Sequence, residues 1–157
     1  MRRVLPFLIF AFALAVAPAA AQPPQQPGEP PVKPLRERLL DRALKGDAEA
    51  QFDLGKNYEA GRIGLQRDFA QAEHWYRMAA EQGDPFAQAS LAILLGFGKG
   101  IPKDQVQALM WYEVAAARSK GGDRDTIVEM RDDLARRMSP ADQAEARRRA
   151  QEWKPAR

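Results

Sequence analysis

The residue type best suited to chemistry in this chain occurs once: His74 is the sole histidine among 157 residues, and there is no cysteine. An imidazole can serve as general base for a serine, but it then needs a nucleophile held beside it and an orienting carboxylate. No serine elbow accompanies His74. One histidine and no cysteine also exclude multi-histidine and thiolate metal sites, disulfides, and lipid attachment through an N-terminal cysteine. Phe97-Gly98-Lys99-Gly100 has glycines and a lysine in common with a phosphate loop, yet it lacks the full spacing and no Ser or Thr follows. It reads as a turn between helices, and His74 as a partly exposed helical side chain. No catalytic, metal or cofactor-binding group is expected.

Charge points the same way. Arg147-Arg148-Arg149 is the densest cationic run, but Glu145 and Glu152 dilute it into a solvated helix face, and nucleic acid is not expected as a partner. The net charge is +3, and losing Arg2 and Arg3 with the leader described below would bring it to about +1. Hydrophobic residues are 45% and charged residues 29% of the chain, the balance of a packed domain.

Trp75 and Trp111 look like a pair for stacking a flat cofactor until the chain is compared with itself. Ala50-Gln51, Leu54 and Gly61 recur 37 residues later as Ala87-Gln88, Leu91 and Gly98. Asp68, Ala72, Trp75-Tyr76 and Ala79-Ala80 recur 36 residues later as Asp104, Ala108, Trp111-Tyr112 and Ala115-Ala116. The one-residue difference falls in the loop holding Gly64, which is how repeat arrays vary. The tryptophans therefore occupy one repeated structural position.

Each unit predicts two helices. Residues 48–60 carry Leu54 and Tyr58 at i, i+4, and residues 69–82 place Ala72, Trp75-Tyr76 and Ala79-Ala80 on one face. Alanines let helix backbones approach while the aromatic pair fills the space between layers. The expected core is Leu54, Tyr58, Trp75, Leu91 and Trp111. Asp68-x-x-Gln71 and Asp104-x-x-Gln107 predict capping boxes. Gly83 and Gly121-Gly122 predict left-handed turns that end the second helices, as Gly61 and Gly98 do for the first. Residues 35–46 predict a capping helix. A further first helix is expected after Asp123, with Ile127, Met130 and Leu134 on its apolar side. Ser139-Pro140 then starts a last one.

The first thirty-four residues differ in kind. Met1-Arg2-Arg3, an apolar run from Val4 to Val16 and Ala19-Ala20-Ala21 predict a secretory signal cleaved after Ala21, too short to span a bilayer. Residues 22–34 are a proline-rich spacer in which neither helix nor central strand can form. The expected layout is signal 1–21, linker 22–34, capping helix 35–46, repeats 47–83 and 84–122, and a degenerate helix pair 123–157.

The A-Q-x-x-L-G of the first helix, the glycines and aspartate of the turn, and the A-x-x-W-Y-x-x-A-A-x-x-G of the second resemble the Sel-one-like repeat, a relative of the tetratricopeptide repeat. The resemblance runs from about Gly46 to Asp123. Ala92 stands where the first unit has Gly55, and Leu95 where it has Tyr58. The resemblance implies an all-α, right-handed α/α superhelix of about three helix pairs that binds proteins or peptides. First helices line the concave side in such arrays, so the transferred register directs Phe52, Lys56, Phe86, Ala89, Ile93 and Phe97 into the groove, flanked by Glu49 and Glu59. The reading that follows is a periplasmic or secreted scaffold for a protein or peptide partner in the cell envelope, modulating an enzyme or sensor there, with no stable membrane span after cleavage. The alternative is a weak envelope hydrolase acting on β-lactams or cell wall, but the relatives that suggest it are cysteine-rich.

Overall fold

The computed structural model describes residues 33–156, and within them the chain forms seven helices and no strand. These are α1 (Leu35–Leu44), α2 (Ala48–Ala60), α3 (Phe69–Glu81), α4 (Pro85–Phe97), α5 (Gln105–Arg118), α6 (Gly121–Ala135) and α7 (Pro140–Glu152). From α1 to α6 each helix packs on the next in sequence, the all-α helical-repeat solenoid that the spacing predicts. The signal segment and all but the last two residues of the proline-rich spacer lie outside the described residues.

Aspartates start the helices of both repeats. Asp47 and Asp84 accept from the amides of Ala50 and Ala87 at 3.1 and 2.7 Å, and Asp68 and Asp104 from those of Gln71 and Gln107 at 3.0 and 2.8 Å. Each satisfies an amide with no partner inside the helix. The expected capping boxes are only half formed. The Asp68 amide donates to the Tyr58 carbonyl and the Asp104 amide to that of Leu95, so neither is free for a returning glutamine. Gln107 instead accepts from Arg77 at 2.8 Å.

The recurring pair of alanine and glutamine in each first helix has a physical cause. Gln51 donates to the Ala43 carbonyl at 3.0 Å and Gln88 to the Ala80 carbonyl at 2.9 Å, both in buried surroundings. Gln143 repeats the reach to Ala135 at 2.8 Å. A helix leaves its last carbonyls without internal donors, and a buried one needs a partner. The glutamine of each following helix supplies it from eight residues further on.

One expected stop is misplaced. The second α5 boundary is not at Gly121-Gly122: α5 ends at Arg118 with Ser119 in an extended conformation, and the two glycines form the first turn of α6. Gly121 does adopt the left-handed φ of 57°, but it serves the entry to α6. The closing helices also depart from the repeat pattern, because α7 packs against α5. Trp153 meets Trp111 edge-on at 5.8 Å, and the Arg118 guanidinium stacks over Trp153 while donating to the Gly83 carbonyl at 3.0 Å.

The core has two parts. The larger joins α3 to α7 around Tyr76, Leu91, Leu109, Trp111 and Tyr112, and the smaller joins Leu39, Ala43, Ala50, Leu54 and Trp75. Leu54, Trp75, Leu91 and Trp111 are buried as expected. Tyr58 is only half-buried, and it touches both parts as a bridge between them.

Candidate functional site

The residues directed into the groove do not form one row. Phe52 is half-buried, with its ring 5.7 Å from Tyr76 and 6.3 Å from Phe86. Lys56 lies over the Phe52 ring at 4.7 Å and pairs with Asp53 at 2.7 Å. Phe86 remains 47% exposed, so Phe52, Lys56 and Phe86 make a continuous aromatic and cationic patch on α2 and α4. Ala89 and Ile93 are half-buried against the larger core. Phe97 is 66% exposed but lines a separate cavity of about 310 Å³, shared by the end of α4, the start of α5 and α6. Of the flanking acids, Glu49 pairs with Arg42 at 3.1 Å. Glu59 is tied to other residues.

Those ties are the most specific polar geometry in the first repeat. The Tyr76 hydroxyl donates to Glu59 at 2.9 Å, and Lys99 reaches the other carboxylate oxygen at 3.3 Å. Gly55 makes this possible. A Cβ at that position would overlap the Tyr76 ring, so the ring lies directly on the α2 backbone. Burial first, and then the Glu59 charge, hold the phenol of Tyr76 far above its usual range.

The second repeat keeps the tyrosine and changes what surrounds it. Tyr112 stands eighth in α5 as Tyr76 does in α3. Ala92 replaces Gly55, and Gly96 takes the place of Glu59, next to last in its helix. The result is the cavity beside Phe97, lined by Gly96 and Tyr112. Burial pushes Tyr112 up to about 12 while the nearby Arg137 charge pulls the other way. Pairing Glu59 with Gly96 across the repeats would have exposed this difference in the sequence. A glycine inside a helix reads in a sequence as a weakness and not as room, so Gly96 gives no local signal of the space beside it.

The other chemical candidates have structural roles. His74 is exposed and sits edge-on to Trp75 at 5.3 Å. Gly98 ends α4 in the left-handed region with φ 64°, and Lys99 beside it pairs with Glu59 and lies 5.1 Å from the Phe69 ring. Arg148 and Arg149 bond Glu145, whose carboxyl their hydrogen bonds lower to about 2, and Arg147 lies 3.5 Å from Glu113. Among the described residues no group of three His, Asp or Glu is arranged to hold a metal, and no helix is long and apolar enough to cross a membrane.

Comparison with known proteins places this geometry. Residues 48–84 and 85–120 each match the Sel1 repeat. The chain is similar in structure to a protective antigen of uropathogenic Escherichia coli that displays an SLR fold. The TM-score is 0.67 at 31% identity, covering 74% of this chain and 24% of that one. A Sel1 repeat protein from Oxalobacter formigenes gives a TM-score of 0.51 at 38% identity, over 54% of this chain and 34% of that one. In sequence the chain is 35% identical over 81 residues to the chitin synthase regulator SKT5 of Malassezia restricta, covering 50% of this chain and 6% of that protein. It is 36% identical over 59 residues to the HRD3A component of an ERAD-associated E3 ubiquitin-protein ligase of Arabidopsis thaliana, covering 38% of this chain and 9% of that protein. The chain thus spans under a tenth of these two relatives.

Proposed function

We propose that this chain, a solenoid carrying two Sel1 repeats, is an exported scaffold that binds a protein partner in the bacterial envelope through the patch on α2 and α4. Sel1 repeat proteins act in protein–protein interaction scaffolds, and the two curated relatives described above bear the names of a regulator and of a ligase component. The observation that carries the reading is Phe86, which stays 47% exposed while its ring stacks on Phe52 beside Lys56. Exposed aromatic surface next to a cation suits an amphipathic helix or an extended peptide with an acidic residue.

Cross-linking in intact cells from a photoreactive residue at position 49, exposed on α2 one turn before Phe52, tests it. An envelope protein should be captured, and Phe86→Glu should abolish that interaction while melting stays near wild type. Capture unaffected by Phe86→Glu would remove the patch from the account. Export makes a second demand: the mature protein should begin at Gln22, and recovery of intact Met1 in the membrane fraction would contradict it.

A further inference from the structure

The two repeats differ at one polar cluster in a way that specifies a ligand. In the first, one carboxylate is held between a phenol and a cation: Tyr76 and Lys99 both reach Glu59. Lys99 is the second residue past the end of α4, and Arg137 is the second past the end of α6. Tyr112 and Arg137 line the cavity in the second repeat, so phenol and cation are both kept there. Gly96 stands where the first repeat has the carboxylate that accepts from the phenol, and Arg137 pairs instead with Asp133 on α6 at 2.6 Å. Among the described residues no side chain bonds the Tyr112 hydroxyl.

We propose that this cavity takes a glutamate side chain from a partner polypeptide, which accepts from Tyr112 and pairs with Arg137 as Glu59 does with Tyr76 and Lys99. This deepens the scaffold reading and rests on it for the polypeptide nature of the partner. The cavity is about 310 Å³, room for one side chain of that size. The charged lining is balanced, Lys103 and Arg137 against Glu129 and Asp133. Arg136, outside the lining, pairs with Asp133 at 2.9 Å, as Arg137 does at 2.6 Å, so Asp133 has a second cation when Arg137 takes an incoming acid. Phe97 and Met130 offer apolar surface for the residue next to the glutamate. Arg137 can turn from Asp133 to the ligand because Asp133 keeps Arg136.

The probe is acetyl-Ser-Leu-Glu-Leu-Ser-amide, titrated into the full chain while the Tyr112 ring and Met130 methyl resonances are followed. Saturable shifts at both are expected, at least about tenfold weaker with glutamine in place of glutamate, the usual worth of a hydrogen bond to a charged group. Tyr112→Phe and Arg137→Gln should each weaken binding. Gly96→Glu should abolish it by supplying the carboxylate within the chain, and should raise the melting temperature above that of Gly96→Ala, which controls for helix propensity. A Cβ on Gly96 meets its nearest neighbour, Ala108, at an ordinary 3.5 Å, so both variants fit.

No saturable shift up to millimolar peptide, equal binding of the glutamine peptide, or binding that survives Gly96→Glu would each overturn the proposal. So would equal binding of free acetate, which would show a small-anion site. Failure here with Phe86-dependent capture intact would remove only this cavity. Loss of both would remove the scaffold reading too.

Discussion

The two repeats share a backbone plan and differ at the tyrosine that follows the tryptophan. In the first, Gly55 admits the Tyr76 ring onto the helix and Glu59 accepts its hydroxyl, so the layer between α2 and α3 is closed. In the second, the glycine has moved one turn along, from the place of Gly55 to that of Glu59, and the layer opens into a cavity. Equivalent elements thus form a sealed structural joint in one copy and an open cavity in the next. The caps, the buried glutamines and the tryptophans are common to both, while Ala92, Leu95 and Gly96 stand where the first repeat has Gly55, Tyr58 and Glu59.

The largest effects should come from what the repeats share. Trp75→Ala and Trp111→Ala should each destabilise the fold by about 3–5 kcal/mol in chemical denaturation, as truncations of large buried side chains. Trp111 also supports Trp153 and hence α7, so its variant should lose protection of the α7 amides to hydrogen exchange while Trp75→Ala affects the α1 end first. Wild-type stability in either variant would mean that the aromatic positions are not core.

A smaller effect should separate the copies. Gly55→Ala drives a methyl into the Tyr76 ring and should cost about 1–3 kcal/mol by overpacking. Ala92→Gly, the reverse exchange at the equivalent site, should cost about 1–2 kcal/mol through helix propensity and the loss of one buried methyl. If Gly55→Ala is neutral in thermal melts, the first joint is looser than described.

Alkaline pH gives a further distinction. A phenol held above its usual value near 10 when folded contributes stability below that value and loses it as pH rises further. For Tyr112 the loss should fall between pH 10 and about 12. For Tyr76 it should continue beyond, since burial and Glu59 raise it more. The unfolding free energy measured across this range should decline less steeply in Tyr112→Phe than in the unaltered chain, and the flattening in Tyr76→Phe should extend to higher pH. The smallest effect is Gly96→Ala, which should stabilise by roughly 0.5–1 kcal/mol, since it removes a glycine from a helix without a clash.

Most of this architecture is legible in the sequence. The offsets of 37 and 36 located four helices, and Ser139-Pro140 the start of α7, because repeated spacing and capping chemistry are local signals. Gly121-Gly122 misled because a glycine pair reads as a helix stop, whereas here it opens α6. The role of Gln51 and Gln88 was invisible, since a carbonyl eight residues back comes within reach only once the helices pack. The groove residues were only partly legible. A register borrowed from one helix can say which side a residue takes, and it brought Phe52, Lys56 and Phe86 together. It cannot say that Ile93 settles half-buried on the core or that Phe97 lines another cavity. Ile93→Glu should therefore melt early, and Phe86→Glu is the cleaner probe.

The difference between the repeats is tested most directly by coupling energies from double-mutant cycles. Tyr76→Phe with Glu59→Gln should show a coupling of about 0.5–1.5 kcal/mol, that of a hydrogen bond made inside the fold. Tyr112→Phe with Arg137→Gln should show none in the free protein, and a coupling of similar size once Gly96→Glu is introduced. Equal couplings in the two repeats of the unaltered chain, or no coupling after Gly96→Glu, would contradict the account.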